Sequence, residues 1–188
     1  MDFSSSLTGD IKFNNRTLRI ELAKRKNESC YSEYSKVQNA LHGKTMKIVL
    51  SKDPSFYYKG EVKVKDFDRY TLLQNIVIEC DVEPYKYDIN SSNEDWLWDP
   101  FNFENGIINE TANIQVNGTR DVVIYGRRKK VVPKITCDNA ISVIFNGETY
   151  NLLAGTQKVL DIQICEGRNV LKFVGNATIT IEYRGGSL

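Results

Sequence analysis

The chain has 188 residues, enough for one large domain or two small ones, and its 25 basic residues are balanced by 24 acidic ones. Proteins whose main partner is nucleic acid usually carry a basic excess, so this balance argues against a nucleic-acid partner. No apolar run approaches the roughly 18 to 20 residues that span a bilayer, and the N-terminus lacks the features of a signal peptide. We therefore expect a chain made in the cytoplasm, with no membrane partner.

The four cysteines lie far apart in the sequence and show no C-x-x-C spacing. That spacing disfavours both a disulfide framework and a zinc site. We expect isolated, mostly buried thiols, no metal and no cofactor. The cysteines are Cys30, Cys80, Cys137 and Cys165.

A strand pair is the first predicted structure. Ile11 and Phe13 alternate with polar residues, and beyond an Asn-Asn turn the apolar residues Leu18, Ile20 and Leu22 alternate in the same way. A period of two residues places one face of a strand in the core and the other in water.

A helix is predicted over residues 29–41, where apolar residues recur at helical spacing from Tyr31 to Leu41. Gly43 stands where a helix often ends in a left-handed residue. His42, the single histidine of the chain, then lies at the helix C-terminus. We expect its imidazole to cover the last helical carbonyl groups or to interact with the helix dipole, rather than to act as a general base.

Three further strands are predicted over residues 46–50, 56–65 and 72–82, the last two antiparallel and joined by a charged tip. Pro84 is predicted to end the last of them, since proline cannot donate to a sheet ladder.

Residues 89–110 differ in character from the rest, with a polar Asn-Ser stretch followed by aromatic residues around a proline. We predict that they form a linker. The predicted domains are then residues 1–88, with the helix, and residues 111–188.

The tryptophans of this linker region are its most distinctive side chains. Large aromatic residues concentrate binding energy at interfaces, so Trp96, Trp98 and Phe101 form the candidate interface with another subunit or a partner. The alternative, which we favour, is that they pin the linker across a hydrophobic groove.

Beyond residue 110 the sequence predicts many short strands, a pattern typical of a β-sandwich. Turn-prone dipeptides separate them, as hairpins prefer. The predicted strands are 114–116, 121–125, 131–136, 141–145, 159–165, 170–174 and 178–183. The predicted turns are Asn117-Gly118, Asn146-Gly147, Glu166-Gly167 and Gly175-Asn176.

Catalytic motifs are absent from the sequence: no G-x-S-x-G, P-loop or H-E-x-x-H spacing occurs. Asp95, Asp99 and Glu104 surround the tryptophans and could form the carboxylate pair of a glycosidase, but solvated acids are the simpler interpretation. The basic run at residues 126–130 could bind an acidic partner, and its glycine and flanking strands favour a solvated hairpin tip. We predict that the chain is not an enzyme.

Several short phrases, taken in order, resemble the distal tail proteins (Dit) of long-tailed phages and prophages of Gram-positive bacteria. The central ones are LHGKTMKI at 41–48, DPSFYYKG at 53–60 and IECDVEPYKY at 78–87. DFSSSLTG at 2–9, FNNR at 13–16 and GNATITIEYRGGSL at 175–188 extend the resemblance over most of the chain. Each phrase is short, but their order and spacing make a fairly specific signal.

The resemblance implies a mainly β protein with an N-terminal belt domain and a C-terminal galectin-like β-sandwich. It implies a hexameric ring in the tail baseplate of a virion. The implied partners are further copies of the chain, the tail tube protein, the tail tip protein and the receptor-binding protein. Family members usually carry a further segment before the position of Asp2, so a trimmed or alternatively started form is one expectation.

Two other classes of function stay open at the level of sequence. A carbohydrate-binding module would use the C-terminal sandwich to recognise host wall glycans. A glycan hydrolase would use Asp95, Asp99 or Glu104. A part of a phage-like particle such as a tailocin is a variant of the tail-protein interpretation.

Overall fold

A computed structural model describes residues 13–25, 30–68, 73–92 and 111–188. The chain forms two compact units. The first comprises Met1–Val49 and Tyr58–Pro84, and the second comprises Leu50–Tyr57 and Tyr85–Leu188. The predicted domain bounds stay a prediction.

The first unit is built on a β-sheet with strand order β1-β4-β3-β2. The elements up to residue 88 are β1 Arg16–Arg25, α1 Cys30–Leu41, β2 Lys44–Leu50, β3 Asp53–Asp68 and β4 Leu73–Asp88, of which the start of β3 and the end of β4 belong to the second unit. β1 pairs antiparallel with β4, from Arg16 opposite Val82 to Arg25 opposite Leu73. The predicted partner strand around Ile11 lies outside the described residues.

One face of this sheet is apolar because alternate residues on each strand point the same way. Its buried residues are Val62, Ile78, Cys80 and Val82. Val37 and Leu41 of α1 pack against them, so the helix covers this face. The predicted helix is confirmed over its described residues.

The helix ends differently from the expectation for His42. Gly43 has the predicted positive φ of 74°, but its N–H donates to the carbonyl of Val62 in β3. The Nδ1 atom of His42 lies 3.2 Å from both the backbone N and the O of Val64. The side chain of Lys44 instead donates to the helical carbonyl of Ala40 at 2.7 Å. The cover of the last carbonyl groups predicted for His42 is therefore wrong: its Nδ1 atom contacts β3, and the longer side chain of Lys44 reaches the Ala40 carbonyl. An interaction of His42 with the helix dipole stays a prediction.

Pro84 does not end its strand, and that prediction is wrong. β4 continues to Asp88. Among the described residues, β1 pairs with β4 only as far as Val82, and the short strand β11 (Gly186–Ser187) pairs with Tyr87 and Lys86. Pro84 thus lies between the part of β4 that pairs with β1 and the part that pairs with β11.

The second unit contains a six-stranded sheet with order β8-β7-β10-β6-β9, in which β5 also pairs with β10. Its further strands are β5 Ile114–Gly126, β6 Lys134–Cys137, β7 Ile141–Phe145, β8 Glu148–Leu152, β9 Gly155–Gln157 and β10 Gly167–Glu182. The core includes Ile124, Val143, Phe173, Ile179 and Ile181, all fully buried.

β5 and β10 are each one long strand where the sequence predicted two short ones. Asn117 lies opposite Asn176 and Gly118 opposite Gly175 within a continuous ladder, so neither dipeptide is a turn. Both glycines have positive φ, and the Gly118 N–H donates to the Asn176 side chain at 2.9 Å. β10 pairs with β7 before this point and with β6 after it. The two turn-prone dipeptides therefore form a paired bend that carries β10 from one neighbour to the next.

Of two further predictions for this unit, one is confirmed and the other is wrong. Asn146-Gly147 is the two-residue turn between β7 and β8, as predicted. The predicted strand 159–165 is only an isolated bridge between Val131 and Ile164, although Ile162 and Ile164 are buried. Alternate residues of this loop are buried against the core, so its sequence shows the same period of two as a strand.

The fold class is confirmed: the chain is mainly β, with one helix among its described residues and a β-sandwich in its C-terminal part. Cys80, Cys137 and Cys165 are free thiols, as expected. Burial raises the pKa of Cys80 and of Cys137, where nearby Asp138 adds to the effect, so these thiols stay protonated and unreactive.

Candidate interface and cation–aromatic cluster

The candidate interface residues Trp96, Trp98 and Phe101 lie outside the described residues, and so do Asp95, Asp99 and Glu104. Their roles stay predictions. The structure does show both ends of the segment that carries them. The Thr111 hydroxyl donates to the Ser92 carbonyl at 2.7 Å. Ser92 is in turn hydrogen-bonded to Tyr183 and Ile181 beside β10. Ser92 and Thr111, the described residues on either side of this segment, therefore lie together beside β10.

The densest group of charged and aromatic side chains in the described chain lies elsewhere in the second unit, around the end of β4. We name it the β4-end cluster. Four chain segments contribute to it: 53–57, 85–88, 127–129 and 184–187. Its members are Asp53, Phe56, Tyr57, Tyr85, Lys86, Tyr87, Asp88, Arg127, Lys129 and Arg184.

A two-pronged ion pair between Arg127 and Asp88 is the central contact of the cluster. The Nε atom of Arg127 donates to Oδ2 of Asp88 at 2.7 Å, and Nη2 lies 2.7 Å from Oδ1. The Arg127 side chain is only 10% exposed, and that of Asp88 is 27% exposed. Such fork-to-fork pairs fix geometry as well as charge. The pair therefore holds the loop after β5 against the end of β4.

Burial raises the pKa of Asp88 above its usual value, and the hydrogen bonds and charge of Arg127 oppose that rise. Arg184 and Lys86 oppose it more weakly. The two short contacts to Arg127 indicate that Asp88 is ionised near neutral pH. Desolvation of the carboxyl group nevertheless raises the pKa of Asp88 by more than the surrounding cations lower it.

The remaining cations of the cluster lie over aromatic rings. The Nζ atom of Lys86 is 4.3 Å from the centre of the Phe56 ring and 2.6 Å from Asp53 Oδ2. The Nζ atom of Lys129 is 4.5 Å from the centre of the Tyr87 ring and donates to its hydroxyl. A cation over an aromatic face contributes about 0.5–2 kcal/mol, more where water is excluded.

The C-terminal strand β11 is attached to the same cluster. Gly186 pairs with Tyr87, and the Lys129 N–H donates to the Gly186 carbonyl at 2.9 Å. A Cβ atom at Gly185 would lie 2.5 Å from Asp88 Oδ2 and 2.9 Å from Arg127 Cδ. Glycine at this position is what allows the chain to pass directly over the ion pair.

The interpretation of residues 126–130 as a solvated hairpin tip is wrong. Gly126 is buried, and Arg127 and Lys129 point into the β4-end cluster, while Arg128 stays exposed. One feature of the sequence indicated this arrangement. In an extended backbone, alternate side chains of the basic run face opposite sides. The partner, Asp88, lies 39 residues away, and no local pattern identifies it.

In the described part of the chain, no three potential ligands among His, Cys, Asp and Glu converge in a way that could hold a metal ion. Over the same residues, no helix is long and apolar enough to cross a membrane. The cluster joins four segments of one unit, so its action is to fix their relative positions.

We expect the stability lost on Asp88→Asn to grow as the pH falls from about 7 to 4. A raised folded-state pKa means that the folded protein retains the Asp88 proton more firmly than the unfolded chain does. This contribution to stability is complete below the unfolded pKa and is lost as the pH rises through the folded pKa. Asparagine does not titrate. The difference in unfolding free energy between the wild type and Asp88→Asn therefore isolates the contribution of Asp88 protonation to stability. Urea unfolding of both across this range measures the difference; a difference that shrinks on acidification contradicts the prediction.

Comparison with solved structures identifies a similar fold. The chain superposes on the crystal structure of SPP1 Dit (gp 19.1) with a TM-score of 0.55 and 13% sequence identity. The match covers 92% of this chain and 80% of SPP1 Dit. The chain has a Dit-like fold.

SPP1 Dit is described as a paradigm of the hub of the adsorption apparatus in phages that infect Gram-positive bacteria. At 13% identity the likeness establishes the fold and nothing finer. No protein-family model matches the chain, and no curated protein matches it. The Dit-like fold agrees with the resemblance that the sequence phrases indicated.

Proposed function

We propose that this protein is a structural component of a phage or prophage-derived tail baseplate, a distal tail protein that assembles into a hexameric ring. The observation that carries the proposal is the Dit-like fold over 92% of the chain. The ring would join the tail tube to the tail tip and the adsorption apparatus. Its partners would be the tube protein, the tip protein and a receptor-binding protein.

The mechanism proposed is geometric. A ring of identical subunits needs head-to-tail contacts between two different surfaces of the chain, with a rotation that closes. Rigid subunits favour such closure, because each fluctuation in a subunit is repeated around the ring. The continuous β5–β10 ladder and the β4-end cluster provide that rigidity within the second unit.

Light scattering behind size exclusion, over a concentration series, tests the proposal. The expected mass is six times that of the 21.5 kDa chain, about 129 kDa. Electron microscopy of the same fraction should show sixfold rings. A chain that remains a monomer at the highest concentration, alone and with its tail tube protein, contradicts the ring.

The alternative of a wall-glycan-binding module stays a prediction, because the tryptophans that would help to decide it lie outside the described residues.

A further inference from the structure

Arg16 is a charged residue on the apolar face of the first unit. It is the first residue of β1 and lies opposite Val82 of β4. Residues 16, 18 and 20 share one face of the strand, and Leu18 and Ile20 pack against the apolar core there. The alternation that places two aliphatic residues inward therefore places a guanidinium group inward as well.

Two nitrogen atoms of the Arg16 guanidinium group, Nε and Nη2, are shielded from solvent and have no hydrogen-bond acceptor among the described residues. The contact found for this group is the ring of Tyr58, whose centre lies 5.5 Å from Cζ. The Tyr58 ring lies against the flat face of the guanidinium group. The N–H groups point outward in the plane of that group, so the ring does not accept their hydrogen bonds.

The two orphaned atoms form one edge of the guanidinium group. Nε–H and the adjacent Nη2–H point in parallel, and this edge binds a carboxylate with two hydrogen bonds. A buried donor without an acceptor destabilises a protein, and a charged one does so more strongly. Arg16 as a whole is only half-buried, so rotation of its long side chain can bring this edge to the surface.

A carboxylate without a cation lies on the opposite face of the same two strands. Asp81 is exposed and pairs with Thr17 in the ladder, one residue from the Arg16 position. Its neighbours on β4 are neutralised: Glu79 lies 3.3 Å from Lys65, and Glu83 lies 3.7 Å from Lys59. No ion pair to Asp81 is found among the described residues.

We propose that Arg16 of one copy binds Asp81 of the next copy through two hydrogen bonds. The proposal rests on the hexameric ring proposed above and names one contact that closes it. Because the two groups lie on opposite faces of one sheet, a single chain cannot satisfy the pair. The pair joins two different surfaces of the chain, as the head-to-tail contacts that generate rings do.

A charge swap tests the contact directly. The variants are Arg16→Asp, Asp81→Arg and the double swap, with ring dissociation followed by mass against concentration. Each single variant is expected to weaken assembly at least about tenfold, since it places like charges together, and the double swap should recover most of the loss. Arg128→Asp is the charge-reversal control, because Arg128 is exposed, pairs with Glu166 in the second unit and shares no strand with Arg16 or Asp81, and it should leave assembly unchanged.

Urea unfolding of each variant under monomeric conditions completes the test. Arg16→Met should leave the monomer as stable as the wild type or slightly more stable, because removal of two buried donors without acceptors offsets the lost contact with the Tyr58 ring. If Arg16→Met destabilises the monomer, the guanidinium group stabilises its own chain and the inference is overturned. If the wild type forms rings and the charge variants form them equally well, the inference fails while the proposed function stands. A wild type that never assembles contradicts both.

Discussion

Gly60→Ala is expected to destabilise the first unit by about 3 kcal/mol, near the upper end of what overpacking usually costs. A Cβ atom at this buried position of β3 would lie 2.1 Å from the carbonyl oxygen of Asp81 and 2.5 Å from the Cα of Val82. Both are backbone atoms of β4, so no side-chain rotation relieves the overlap. The two strands must separate locally, and their shared hydrogen bonds weaken.

Gly43→Ala in the same unit is the matched control. Gly43 has a φ of 74°, and a Cβ atom added there would meet no atom within 4 Å, so its substitution tests backbone conformation without a steric clash. We expect it to cost about 1 kcal/mol, the usual strain of a left-handed non-glycine residue. Urea unfolding of both variants and of the wild type gives the two differences. Equal losses at the two positions would show that the close approach at Gly60 relaxes without cost.

The need for glycine at position 60 illustrates what the sequence can and cannot predict. Alternation predicted both strands, the helix and the apolar face correctly, because those patterns depend on residues close in sequence. The approach of β3 to Asp81 depends on the register between two strands, and no local pattern sets it.

The same distinction explains the errors in the second unit. Asn117-Gly118 and Gly175-Asn176 each favour a turn when judged alone. Facing each other in one ladder, they form a bend instead, because 13 paired positions of β5 and β10 outweigh the local preference. Sequence reasoning assigned the correct propensity and the wrong structure.

The β4-end cluster was harder still to predict from the sequence. Its aromatic residues include Tyr57 and Tyr87, which are buried and stacked, with ring centres 5.6 Å apart. What the sequence could not show is that Arg127 and Asp88 meet beside them. Charge pairing between distant segments follows from the fold, so it becomes visible only when the fold is known.

Arg127→Met is the second substitution for which we expect a large loss, about 2–3 kcal/mol of unfolding free energy. Removing one partner of a buried pair leaves the other charge uncompensated, and the partial exposure of Asp88 reduces the cost from the roughly 3–5 kcal/mol typical of full burial. Methionine retains much of the packing volume over Phe56, whose ring centre lies 5.0 Å from Arg127 Cζ, so the loss reports on the charge.

The adjacent residue provides the control. Arg128 also forms an ion pair, with Glu166 at 3.2 Å, but their side chains are 46% and 61% exposed. Arg128→Met should therefore cost less than about 1 kcal/mol, as exposed ion pairs do. Hydrogen exchange adds a local measurement: Arg127→Met should speed exchange at the amides of Asp88 and Lys129, which donate to the carbonyls of Gly185 and Gly186, and Arg128→Met should not. Similar losses for the two variants would mean that the basic run acts only through its net charge, and that the cluster does not fix the C-terminal strand.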